Sequence, residues 1–289
     1  MTIEVAVTAP DEVTPAGKRS FAVWLAIAWV AVVVLAAVCA PILPLRPVDE
    51  IVDGLDPRLA PFSSWTEPLG TDSIGRSTLS RLVFGARQSM LVGTVAITAA
   101  LVCGLVIGVC AGYVRRAVDR VTGVVVDAVL AIPPLVLLLA IAAVGRRGAG
   151  TIALGLAVVC TPSIARLARA QTLQLAARPH VTASRSLGAT GLRIVVRDLL
   201  PEVALRIAPY AFLLMAYVII SEASLNFLGL GVPPPTPSWG GMINDGRPYL
   251  ADEPWLVFVP SLTILLTVVS FTVLGDRFRS WLDEREGSR

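Results

Sequence analysis

The chain has 289 residues, of which 55% are hydrophobic, with a mean hydropathy of +0.75 and a net charge of +3. That composition excludes an ordinary soluble domain and places the chain in a bilayer. The charge is too small to argue for a nucleic-acid partner.

A span takes about 20 apolar residues. Six segments meet that length, at 21–43, 90–114, 121–144, 151–170, 207–230 and 255–274. The fourth is the weakest, because Pro162 and Arg166 interrupt its second half. Prolines also stand in the third span (Pro133, Pro134) and the sixth (Pro260), where each removes a backbone hydrogen bond and predicts a kink. The first segment is too long for a cleaved signal and reads as retained. Cys39, Cys103, Cys110 and Cys160 fall in apolar segments without metal-type spacing and read as buried, inert thiols.

Placing the N-terminus inside puts 16 basic residues on the inner side and 8 on the outer, which fixes the expected orientation. Only Arg146 and Arg147 run clearly against it. The division is then an inner tail (1–20), a first span (21–44), an outer loop (45–89), a five-helix core (90–275) with a long inner loop (171–206), and an inner tail (276–289). In the outer loop, 45–68 reads as an irregular linker. Leu79, Leu82, Val83 and Ala86 share one face of an amphipathic helix over 77–86, lying on the membrane surface. The last outer loop, 231–254, starts with Pro233, Pro234, Pro235 and Pro237 and predicts a rigid cap.

The inner loop is the most informative stretch. Pro179 suits the first turn of a short helix and Gly188 its left-handed stop. Between them Val181, Ser184 and Leu187, joined by Ala183, make a stripe beside small residues that allow another backbone to approach. A second helix is expected over 192–200, closed by Pro201. No catalytic set assembles around the single histidine, His180, and no phosphate-binding loop is present. Two acids lie within spans, where an ionisable group is a functional candidate by default. Asp127 and Arg166 lie at similar depth and read either as a buried structural pair or as functional groups. Glu222, one turn before Asn226, either faces a pathway or pairs with Arg87 or another outer arginine.

Residues 178–201 resemble the EAA loop of ATP-binding-cassette importer permeases at Thr182, Ala183, Ser184, Gly188, Asp198, Leu200 and Pro201. The departures are Thr182 for Glu, Ser184 for Ala and Asp198 for Ile. The segment LGTDSIGR, carrying Gly70, Thr71, Asp72, Gly75 and Arg76, is similar to a signature of the dipeptide, oligopeptide and nickel permeases of second-subunit type, with Ser77 replacing a final Asp. GARQS (85–89), DAVLAIP (127–133), EASLNFLGLGV (222–232), PTPSWG (235–240) and LGD (274–276) are also similar to that family.

The resemblance implies an all-α membrane protein of six transmembrane helices with cytoplasmic termini and a permease core in the last five spans. It implies a coupling loop using His180, Thr182, Ala183, Ser184, Arg185, Gly188, Leu200 and Pro201. The implied partners are a homologous permease, two ATPase subunits, an extracytoplasmic substrate-binding protein and the lipid bilayer. ATP and magnesium would sit on the ATPases, with no cofactor or metal on this chain. The expected role is non-catalytic import of di- or oligopeptides across the inner membrane. The alternatives are nickel or another small solute, an ion-driven secondary transporter, and a non-transporting scaffold.

Overall fold

The computed structural model describes residues 16–287, and side chains within 21–285. Of the expected inner tail at 1–20, all but the last turn lies outside the described residues. The described chain is helical, and its only β pairing is two isolated bridges, Ile51 with Arg76 and Thr71 with Ser77. Five helices are long and apolar enough to cross a bilayer, and a sharply bent helix pair is the candidate for a sixth. The end of the bundle carrying 45–77 and 231–254 is called the cap end here, and the opposite end the loop end.

Helix α1 (Ala16–Cys39) packs along α2 (Thr78–Val114) and α10 (Trp255–Gly287). Its Trp29 Nε1 donates to Thr267 Oγ1 at 3.1 Å. The helix expected on the surface over 77–86 is instead the first turns of α2. That helix runs unbroken for 37 residues, with Ser77 as its N-cap accepting from Ser80 N–H. The separation expected at 87–89 fails because Arg81 and Ser89 are buried and partnered, so polar residues do not end the helix.

The third apolar segment forms two helices rather than one. Helix α3 (Arg116–Leu130) and α4 (Pro134–Val144) meet at 86°. Pro133 takes an extended ψ of 127° before Pro134, as a residue preceding proline prefers, and Pro134 opens α4. By contrast α5 (Ala149–Leu175) continues through Pro162, so the interruption expected there does not end the span.

The tightest packing is between α2 and α5. Gly104, Gly108 and Gly112 stand four residues apart on α2. An added Cβ would strike Ile164, then the Ala165 carbonyl and Ala168, then Thr172. Such small-residue spacing lets membrane helices approach at backbone distance. Gly108→Leu is expected to force α2 and α5 apart, costing about 3 kcal/mol or more. A lowered melting temperature of the purified assembly checks this.

After α5 come α6 (Pro179–Ser186), a single turn α7 (Gly191–Arg193), a π-helical turn at Ile194–Leu199 and α8 (Leu200–Phe227). Pro201 does not close a second loop helix as expected. Residues Gly191–Phe227 are one helical run, and Leu200 N–H bonds the Val195 carbonyl in i→i−5 register just before the proline. That π register accommodates a proline inside a helix. The cap then carries α9 (Trp239–Gly246), and α10 continues to Gly287, so the expected tail at 276–287 is helix. Of the cysteines, Cys160 is buried and Cys39 half-buried, whereas Cys103 and Cys110 are exposed on α2, contrary to the uniformly buried reading.

Candidate functional site

Three groups of polar residues are built at different depths. At the loop end, α6 begins with Pro179 and stops at Gly188, which has φ of +82°. Gly188 N–H donates to the Arg185 carbonyl and Ala189 N–H to the Ser184 carbonyl, both at 3.1 Å. This pair of bonds satisfies the last carbonyls of the helix.

The expected stripe on α6 divides. Val181 is fully buried, Ser184 is half-buried, and Leu187 is 89% exposed. The reason is angular, since six residues at 100° each leave positions 181 and 187 about 120° apart. Val181, Ile194 and Leu199 are buried together, anchoring the loop. Thr182, Ala183, Arg185, Leu187 and Leu192 remain exposed on it.

Glu202, which sequence reasoning passed over, ties the loop to α8. Arg178 Nη1 donates to its carboxylate at 3.0 Å, Arg206 Nη2 lies at 3.4 Å, and His180 Nε2 approaches to 3.9 Å. Leu200 and Pro201 belong to the base of α8 rather than to the exposed loop. Arg185 stacks over Tyr113 of α2 at 5.7 Å.

In mid-bundle, Arg166 Nη2 donates to Asp127 Oδ1 at 2.5 Å, but the side chains are 58% and 70% exposed. The pair exists and is not buried. Arg166 also lines a cavity of about 730 Å³ with Gln171, Arg206, Asp276, Arg279 and Asp283. An ion pair open to such a polar cavity contributes at most about 1 kcal/mol, well below a buried pair. One helical turn away, Arg169 pairs with Asp119 on α3.

Toward the cap end, Glu222 is 1% exposed and pairs with no arginine among the described residues. Ser89 Oγ donates to its Oε2 at 2.8 Å, and Asn226 Nδ2 donates to its Oε1 at 2.5 Å. Asn226 Oδ1 then accepts from Val232 N–H at 2.8 Å, fixing the chain as it leaves α8. Arg87, the proposed partner of Glu222, is exposed. Trp239 is completely buried above this node, its Nε1 donating to the Leu82 carbonyl at 3.0 Å. Gly85 leaves room for the indole, and Gly240 lies directly on the Ala223 carbonyl. The segments 85–89, 222–232 and 235–240 are therefore three sides of one interlocked structure.

The signature 69–76 is a rigid turn joined to it. Thr71 Oγ1 donates to the Asp56 carbonyl at 2.7 Å and accepts from Leu59 N–H at 2.9 Å. Asp72 Oδ1 accepts from the N–H groups of Ile74 and Arg76, while its Oδ2 accepts from Arg76 Nε at 2.6 Å. Gly70 and Gly75 take φ of +71° and +92°. Ser77 donates to buried Glu67 at 2.5 Å, and Arg46 lies on the same carboxylate at 2.9 Å. Substitution of Ser for Asp at 77 thus keeps the helix cap and avoids a second acid beside Glu67.

These features define a class. The fold is similar to that of the permease in inward-facing structures of the MetNI methionine ABC transporter, with a TM-score of 0.57 at 22% identity, covering 69% of this chain and 95% of that one. Residues 104–287 match the family described as binding-protein-dependent transport system inner membrane component, and the chain belongs to that family. It is 37% identical to the dipeptide transport system permease protein DppC of Escherichia coli strain K12 over 96% of both chains. It is also 37% identical to the di/tripeptide transport system permease protein DppC of Pseudomonas aeruginosa, over 88% of this chain and 84% of that one. The glutathione transport system permease protein GsiD of Pectobacterium atrosepticum is 36% identical over 75% and 72%. The chain is thus a multi-pass inner membrane component of a transport system.

Proposed function

We propose that this chain is one of two permease subunits of an ATP-driven importer of di- or oligopeptides, with the cap end outside and the loop end in the cytoplasm. The observation that carries the reading is the form of α6. It is a short helix with a glycine stop, held from behind by Val181 and Glu202, that leaves Thr182 and Ala183 exposed, with Leu187 and Leu192 exposed just beyond it. A buried rear face with an exposed, partly apolar front suits docking to a cytoplasmic protein. The partners are two ATPase subunits, which hold ATP and magnesium, a second permease, and an extracytoplasmic binding protein that delivers the cargo. This chain contributes no catalytic group. ATP-driven movement of the ATPases displaces α6 and shifts the bundle between inward-open and outward-open states. Peptide cargo is supported by the names of the relatives.

Two measurements test it. Proteoliposomes containing the whole assembly are expected to accumulate a labelled dipeptide only with ATP on the loop-end side. In a chain with its four cysteines replaced by alanine, Ser186→Cys should be labelled only from the cytoplasm. Thr236→Cys, exposed in the cap, should be labelled only from outside. Reversed labelling at both positions overturns the orientation and the docking assignment with it.

A further inference from the structure

The arginine pair 146–147 is unexplained by the bundle. It stands in the short turn between α4 and α5 at the cap end. The turn is fixed, with Thr151 Oγ1 donating to the Arg146 carbonyl at 2.6 Å. Arg147 is exposed and makes no ion pair or hydrogen bond with any described residue. It forms one wall of a pocket of about 360 Å³ with Arg76, Arg81, Asn244, Asp245 and the proline run 233–235. The walls come from three stretches separated in sequence: the signature turn with the start of α2, the α4–α5 turn, and the cap with the end of α8.

The charges in and beside this pocket do not balance. Asp72 is taken by Arg76 at 2.6 Å and by Arg81 at 3.3 Å, and Asp245 by Arg81 at 3.1 Å and Arg76 at 3.7 Å. Two carboxylates thus serve two arginines, and the third guanidinium, Arg147, is left in excess. The Arg81 side chain is only 6% exposed, and its Nη1 has no hydrogen-bond partner. Burial raises the Asp245 carboxyl above the ordinary range, against the pull of Arg81 and Arg76, which weakens it as the internal counter-ion. Proline walls hold the cavity open without a ligand, so little ordering cost attends binding. A planar guanidinium in such a place matches a carboxylate in shape and charge.

We propose that this pocket is a carboxylate-binding site, in which Arg147, backed by Arg81 and Arg76, holds one carboxylate supplied from outside the chain. The site stands on the geometry alone. Its source, either the C-terminus of a peptide cargo or an acidic side chain of the docking protein, rests on the importer reading.

The test uses the whole assembly in nanodiscs, without the docking protein, titrated with N-acetyl-alanyl-alanine and with its C-terminal amide by ligand-observed NMR. The free acid is expected to bind at least about tenfold more tightly than the amide, as charged hydrogen bonds provide. Arg147→Gln should reduce the acid to the level of the amide and leave the amide unchanged, while Arg146→Gln leaves both unchanged. Displacement of the acid by saturating docking protein assigns the carboxylate to that protein, and its retention assigns it to the cargo. Equal binding of acid and amide, or an acid preference that survives Arg147→Gln, overturns the site. Uptake by the parent assembly is measured separately, and its absence refutes the importer reading without touching this result.

Discussion

Replacing Gly188 with valine is expected to abolish uptake while leaving the chain in the membrane at near-normal levels. Gly188 has φ of +82°, and an added Cβ would meet nothing within 4 Å. The entire effect is therefore backbone strain and not a clash. A left-handed conformation costs an ordinary residue about 1–2 kcal/mol, and a β-branched one more. That is comparable to the two hydrogen bonds that close α6, so the turn is remade and the exposed face of α6 is lost. The spans keep their apolar lengths and still insert. Gly188→Asn is the control, because asparagine tolerates the left-handed region, and it should retain most uptake. ATPase copurification and dipeptide accumulation are the readouts. Normal coupling in Gly188→Val would remove the loop from the mechanism.

The second large effect is expected at the buried node. Glu222 is held by two neutral donors, Ser89 and Asn226. Glu222→Gln keeps an acceptor for Asn226 and a donor for Ser89 and is expected to cost little. Glu222→Leu leaves Ser89 without its acceptor and Asn226 Nδ2 with only the Glu222 backbone carbonyl inside the bundle, at about 1–3 kcal/mol for each bond lost. The loss should show first at the cap, because Asn226 also fixes Val232 and the chain leading to Trp239. The expected result is cleavage of 232–250 by protease added at the cap end in Glu222→Leu and not in Glu222→Gln. Equal sensitivity of the two variants would mean that the carboxylate charge, and not the hydrogen-bond pattern, holds the node.

The parts of this fold legible in the sequence are those set by local composition. Apolar length pointed to the five long helices and to the bent pair, and Pro179 with Gly188 located α6, because each residue's own backbone preference decides the outcome. The start of α2 was misplaced for the opposite reason. Arg81 reads as a surface residue until Asp72 and Asp245 are brought to it by the fold, and the second of these is distant in sequence. Ser89 and Glu222, 133 residues apart, were equally unconnected. The glycine series 104, 108 and 112 was passed over in the sequence, because only the opposing Ile164, Ala168 and Thr172 give it meaning. The motifs of residues 69–76 and 222–240 pointed to the family. Their geometry shows a latch at the cap end, with no residue among them exposed as a reactive group.

The helical run from Gly191 to Phe227 spans both ends of the molecule. At 1.5 Å per residue its 37 residues are a strut about 55 Å long. Its base carries Glu202, to which the loop carrying α6 is tethered, and its tip carries Glu222 and Asn226, on which the cap is latched. A strut does not bend under loads that would merely deform a loop, so a tilt imposed at its base arrives at its tip as a displacement scaled by lever arm. On the proposed reading, with the loop docked to the ATPases, the π-helical turn beside Pro201 is the fulcrum and the rest of the run carries the movement from one face of the membrane to the other.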